Sequence, residues 1–167
     1  MLRSGCLNNY GVTLCIISII CKSLFADLNS IVLKELYSIM SGEEYTYKIK
    51  ENQEKNPVWK HINLQRKVEP LQVADFIYST TRFAIVFISM KFHYKFPLYL
   101  KGHLADFVKS KDYFENPNRV LILLHDSSDP SNSLNEITMS CIQHNIKLIL
   151  AFNYEDVAKC LKAFKSK

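Results

Sequence analysis

Asp126 and Asp129 are the carboxylates best placed for metal-dependent hydrolysis, since both follow an apolar run that reads as a buried strand. Phosphodiester cleavage with Mg²⁺ needs carboxylates converging at strand ends, usually with a lysine near the attacking water. Each aspartate also has a plainer reading. Asp129 precedes Pro130, the pattern of a helix N-cap followed by proline at the first helical position, and Asp126 reads as a solvated loop residue. A divergent metal-dependent nuclease is therefore kept as an alternative. Cys141 and His144 stand three apart on an expected helix and suggest a Cys–His nucleophile pair, but Cys141 falls on the apolar stripe and no orienting group is evident. His93 and His125 end strands and read as turn residues, and no Cys/His spacing makes a zinc site. The four glycines, Gly5, Gly11, Gly42 and Gly102, do not cluster. A phosphate-cradling loop needs clustered glycines, which argues against P-loop enzymes, kinases and Rossmann dehydrogenases. No cofactor and no small-molecule substrate are expected.

The positive signal is a surface. Phe83 to Phe92 is a long apolar run rich in β-formers and reads as a buried strand. Alternate strand residues share a face, so Phe87, Ser89 and Lys91 line one side and Val86, Ile88 and Met90 the other. A serine and a lysine in such a strand require a wet environment. Pro97 opens a helix on which Tyr99 and His103, four apart, share a face. Rings, a hydroxyl and cations together suit a groove for a peptide or a single nucleic-acid strand; a partly exposed sheet edge without a ligand reads equally well. Lysines and aromatics interleave in Lys91-Phe92-His93-Tyr94-Lys95-Phe96, and further cations include Lys60, Arg66, Lys67, Arg82, Lys101, Lys109 and Lys111. The formal net charge of +5 is compatible with nucleic acid.

The elements that must carry these residues follow a simple order. Val58–Leu64 and Val68–Phe76 read as short strands, expected to form an N-terminal hairpin. Strands then alternate with helices: Phe83–Phe92, a helix from Pro97 with Leu100, Leu104, Phe107 and Val108 inward, Val120–Leu124, a helix with Leu134, Ile137 and Cys141 inward, Lys147–Phe152, and a last helix capped by Asn153 with Val157, Cys160, Leu161 and Phe164 inward. That order implies an α/β fold with a mostly parallel sheet flanked by helices. Residues 1–39 read as an apolar extension, either a leader or the product of an upstream start with Met40 as the natural first residue. Residues 40–55 read as a polar lead-in and 56–167 as the domain. The five cysteines, an odd number with no C-x-x-C spacing, fit free thiols in a reducing compartment.

Several segments taken in order carry a resemblance. Asn56-Pro57-Val58 opens the domain. Ser89-Met90-Lys91-Phe92-His93 with Pro97 and Tyr99 is similar to S-L-R-Y-H followed by H-P-x-Y. Arg119-Val120-Leu121 leads to Asp129-Pro130, Leu134, Glu136 and Cys141. Leu148-Ile149-Leu150-Ala151-Phe152 is similar to L-I-L-A-W, followed by Glu155, Ala158 and Leu161. Across about residues 56–166 the chain resembles the central domain of the excision-repair cross-complementing family, the non-catalytic subunit of the XPF-type structure-specific endonuclease. The resemblance implies a restriction-endonuclease-like, catalytically inactive fold, a nuclear location, and action at single-strand/double-strand junctions of DNA in nucleotide excision repair and recombination. The implied partners are an XPF-type nuclease subunit, DNA, and a peptide of the damage-verification protein. It places a DNA- or peptide-binding groove on Asn56, Phe87, Ser89, Lys91, Phe92, Tyr99 and His103. Strict alternation puts Phe92 on the opposite face, unless the strand end twists. Lys91 and His103 stand where the family has arginine, which loses bidentate contacts, and Phe92 replaces a tyrosine. The family's tandem helix-hairpin-helix domain has no counterpart in this sequence. A stand-alone DNA or peptide adaptor is the other reading.

Overall fold

The computed structural model describes residues 46–128 and 133–165, within a compact unit spanning Gly42–Lys167. The readings of residues 1–39, of Met40 as a start, and of Asp129-Pro130 as a cap lie outside the described residues. Among those residues no helix is long and apolar enough to cross a membrane.

A six-stranded sheet runs in the order β2-β1-β3-β4-β5-β6. Its strands are β1 (Tyr47–Ile49), β2 (Arg66–Val68), β3 (Phe76–Tyr78), β4 (Phe83–Ser89), β5 (Asn118–Leu124) and β6 (Lys147–Ala151). The helices are α1 (Met90–Lys95), α2 (Pro97–Phe107), α3 (Lys111–Glu115), α4 (Ser133–Gln143) and α5 (Tyr154–Lys165), with a 3-10 turn at Pro57–Lys60. β4, β5 and β6 pair in parallel, as do β1 and β2, while β3 runs antiparallel to both β1 and β4. Apolar residues cover both faces of the parallel part, which is why β4 and β5 read as continuous apolar runs. One face packs Tyr47, Phe76, Ile85 and Ile122 against Val157, Leu161 and Phe164 of α5 and Val58 of the 3-10 turn. The other packs Val86, Ile88, Leu121 and Leu123 against Leu100, Leu104 and Phe107 of α2 and Ile137 and Cys141 of α4.

Three expectations are corrected. The polar lead-in contains β1, an interior strand with Tyr47 and Ile49 fully buried; Tyr47 donates its hydroxyl to Leu161 O at 2.8 Å. The expected hairpin between Val58–Leu64 and Val68–Phe76 does not form. The first segment is a 3-10 turn with a following loop, and β2 and β3 each pair with β1. The antiparallel hairpin is β3–β4, closed by Arg82 at φ 53°. Finally, β4 stops at Ser89, whose Oγ accepts from Phe92 N at 3.2 Å and caps α1. Lys91 and Phe92 are thus helical.

Local chemistry sets the other boundaries. Pro97 occupies the first turn of α2, and Asn153 Oδ1 accepts from Asp156 N at 2.9 Å to cap α5. α4 ends in a Schellman motif. Asn145 takes φ 53°, and Asn145 N and Ile146 N donate to Ile142 O and Cys141 O. Asparagine tolerates that left-handed conformation better than most side chains.

Candidate nucleic-acid interface

The site forms at the carboxyl end of β4, where the chain leaves the sheet. Helices α1 and α2 supply a chain of rings. Phe92 lies 5.0 Å from Phe96 and 5.1 Å from Tyr99, and Tyr99 stacks on His103 at 5.1 Å with planes 17° apart. Phe92, Phe96 and Tyr99 are 40–45% exposed, far more than aromatic core residues. Lys95 Nζ sits 5.4 Å from the Phe96 ring centroid. Lys91 is exposed at the start of α1 and has no ion pair among the described residues.

A hydrogen-bonded chain links the 3-10 turn to the segment before β3 and to β4. Asn56 caps the 3-10 turn by accepting from Val58 N, and its Nδ2 donates to Gln53 Oε1 at 2.8 Å. Gln53 Nε2 donates to Asp75 Oδ1 at 3.0 Å, and Asp75 Oδ2 accepts from Phe87 N at 2.8 Å. Burial pushes the Asp75 carboxyl up to about 6, against the lowering effect of Phe87 N, Gln53 and Lys50. Its charge reaches Tyr99, whose phenol is raised first by burial and then by Asp75. His103 is held below its ordinary value, first by burial and then by Lys50, with Asp106 opposing. Asp75 and Lys50 thus couple electrostatically to the Tyr99–His103 stack.

The anticipated face is therefore divided. Ser89, Phe92, Tyr99 and His103 join one cluster, with Ser89 holding Phe92 by the cap. The half-buried Phe87 ring packs against Phe76 at 6.3 Å and Tyr154 at 6.5 Å, with the core that includes α5. Only its backbone N–H connects it, through Asp75, to Asn56. Phe92, the residue that strand alternation misplaces, reaches the cluster because the strand has ended.

Sequence reasoning missed Asp75, Gln53 and Tyr154, and named Phe96 only as part of the interleaved run Lys91 to Phe96. A lone carboxylate within the apolar stretch Val73–Tyr78 is a readable signal for Asp75, because buried acids are rare without partners. A depression of about 510 Å³ beside this region is lined by Lys50, Glu51, Asn52, Val68, Glu69, Pro70 and Leu71; of these only Lys50 belongs to the electrostatics of the rings.

The enzymatic candidates fare differently. Asp126 is more than the solvated loop residue expected of it: its Oδ1 accepts from Lys91 N at 3.0 Å and helps to start α1. Cys141 is buried, which pushes its thiol up to about 11, the wrong direction for a nucleophile. His144 uses its carbonyl to accept from Tyr113 Oη. Among the described residues, no three His, Cys, Asp or Glu side chains converge as a metal site.

Comparison with known proteins adds a family match. Residues 44–167 match the family described as the binding domain of DNA repair protein Ercc1 (Rad10/Swi10). The chain is 28% identical over 115 residues to the mating-type switching protein swi10 of Schizosaccharomyces pombe, covering 68% of this chain and 43% of that protein. It is 27% identical over 79 residues to the DNA repair protein RAD10 of Saccharomyces cerevisiae, covering 47% and 35%. The chain thus spans less than half the length of these curated relatives. In three dimensions it is similar to XPF from Aeropyrum pernix, with TM-score 0.57, 11% identity, and coverage of 72% of this chain and 63% of that one. A second structure of that protein, in complex with DNA, gives TM-score 0.59 at 10% identity and the same coverage. At these identities the likeness establishes the XPF nuclease-like fold.

Proposed function

The chain belongs to the family of the binding domain of DNA repair protein Ercc1 (Rad10/Swi10), and from that premise we propose that it is a non-catalytic, DNA-binding subunit of an XPF-type structure-specific endonuclease. In this reading it acts in the nucleus, in nucleotide excision repair and recombination, and positions the nuclease at single-strand/double-strand junctions. The observation that carries the reading is the exposed ring cluster Phe92–Phe96–Tyr99–His103, flanked by Lys91 and Lys95. Unpaired bases stack on exposed rings, and cations track the phosphates. Asn56 and Phe87 act from beneath, by holding Gln53 and Asp75.

The test is binding of labelled single-stranded and duplex oligonucleotides to the full chain and to Tyr99→Ala. Loss of one stacking ring costs about 1–3 kcal/mol in single-strand affinity, with little effect on duplex. Equal affinity in the variant would remove the ring cluster from the interface. A peptide of the damage-verification protein would use the same rings, and its competition with the oligonucleotide reads this directly. Co-elution of the full chain with the same organism's XPF-type nuclease, with enhanced flap cleavage, tests the partnership.

A further inference from the structure

We infer that the corner formed by Trp59, Arg66 and Lys60 is a second contact for the same single strand, taking its phosphates as it leaves the ring cluster. This rests on the reading of the chain as a single-strand binder. Trp59 is half-buried and fixed on two sides: its indole N–H donates to Gln53 O at 2.7 Å, and its ring meets Phe76 edge-on at 5.7 Å. The Arg66 guanidinium carbon lies 4.7 Å from the Trp59 ring centroid. Arg66 belongs to β2, an edge strand whose three residues are all exposed. Lys60 follows Trp59 directly and is exposed.

What selects these two cations is a contrast with their neighbours. Lys48 and Lys67 each meet the Glu69 carboxylate at 3.3 Å. Arg66 and Lys60 have no carboxylate partner among the described residues. Arg66 is held by the indole while its N–H groups remain available, so less freedom is lost when it meets a phosphate. The corner also joins the proposed interface through one residue. Gln53, whose carbonyl holds Trp59, uses its side chain to hold Asn56 and Asp75. A basic group stands against an aromatic ring in both places, Lys95 with Phe96 and Arg66 with Trp59. That alternation suits a flexible strand with unpaired bases better than an acidic peptide, which needs the charges but not the rings.

Trp59 is the only tryptophan in the chain, so its emission reports the corner. The full chain, a Lys60→Ala/Arg66→Ala double variant, and Tyr99→Ala are titrated with oligothymidylates of roughly 5 and 15 nucleotides, lengths bracketing ordinary single-strand sites. Binding is followed by anisotropy of the labelled oligomer and by Trp59 emission. The longer oligomer should quench Trp59 in the unmodified chain. The double variant should bind it roughly tenfold more weakly, with a salt slope shallower by about 1.4, while the short oligomer is unaffected. Tyr99→Ala should weaken both lengths. Unchanged affinity and salt slope for the longer oligomer in the double variant would overturn the inference and leave the ring cluster standing. A polyglutamate peptide that quenches Trp59 and competes as well as the oligomer would overturn it too. Failure of the unmodified chain to bind either oligomer would overturn the underlying reading as well.

Discussion

Replacing Asp75 by asparagine should change how stability depends on pH more than it changes stability itself. Asp75 is only 5% exposed, and its carboxyl is raised from 3.8 to about 6 by burial. The folded chain therefore keeps a proton, between about pH 4 and 6, that the unfolded chain has released. Stability falls as pH rises through that window and levels off above it. A rise of roughly two units corresponds to about 3 kcal/mol. The asparagine side chain cannot ionise, so its contribution is flat. It still offers one oxygen to Phe87 N or to Gln53 Nε2, but not to both, and loses one hydrogen bond, about 1 kcal/mol. Protonated Asp75 carries a similar penalty at low pH, so the two proteins should be nearly matched near pH 4. By pH 7.5 Asp75→Asn should be the more stable by about 2 kcal/mol. Urea denaturation of both proteins at several pH values measures this, because other titrating groups cancel in the difference. A constant offset from pH 4 to 7.5 would refute the argument. A carboxylate kept at such a cost, and coupled electrostatically to Tyr99, fits a group retained for binding.

Two further outcomes follow from buried or stacked polar groups. Asp112 Oδ2 accepts from Val73 N at 2.8 Å and Ala74 N at 3.0 Å. Asp112→Ala strands both N–H groups and should cost about 3 kcal/mol in urea denaturation, whereas a loss below about 1 kcal/mol would mean that water replaces the carboxylate. His103, depressed by burial and Lys50, is neutral at pH 7, so His103→Arg adds a cation next to the rings. Single-strand affinity should rise and the salt slope steepen by about 0.7; an unchanged slope would place His103 away from the strand's phosphates.

The parallel half of the fold is legible in the sequence because its signals are local. The runs forming β4 and β5, the spacing of Leu100, Leu104 and Phe107, and the Asn153 cap each announce an element within a few residues. β1 is not legible. Tyr47–Ile49 is three residues long and set among lysines and glutamates, and its burial comes from partners at Arg66–Val68 and Phe76–Tyr78. Strand preference there is supplied by tertiary pairing. The ring cluster is half legible: the Tyr99–His103 spacing survives in the structure, but the alternation argument fails at Ser89, where a single hydroxyl ends the strand and starts a helix. Asp75 escapes a reading that takes Val68–Phe76 as an ordinary short strand, although its one buried charge is the informative residue.

The fate of the two aspartates at this end of the sheet also bears on catalysis. Ligands of open α/β sheets collect beyond the carboxyl ends of the strands, and metal-dependent hydrolysis there would need carboxylates with free oxygens. Asp126 accepts from the Lys91 N–H, which starts α1. Asp75 accepts from Phe87 N and Gln53 Nε2, one at each oxygen. A cation on Asp126 Oδ1 would compete with the Lys91 N–H at the start of the helix that presents Phe92, and one on Asp75 would compete with Phe87 N and Gln53 Nε2. Both carboxylates are therefore already engaged in local structure, Asp126 at the start of α1 and Asp75 between β4 and the 51–56 segment. The strand end carries exposed rings and cations, the surface proposed above to hold a single strand.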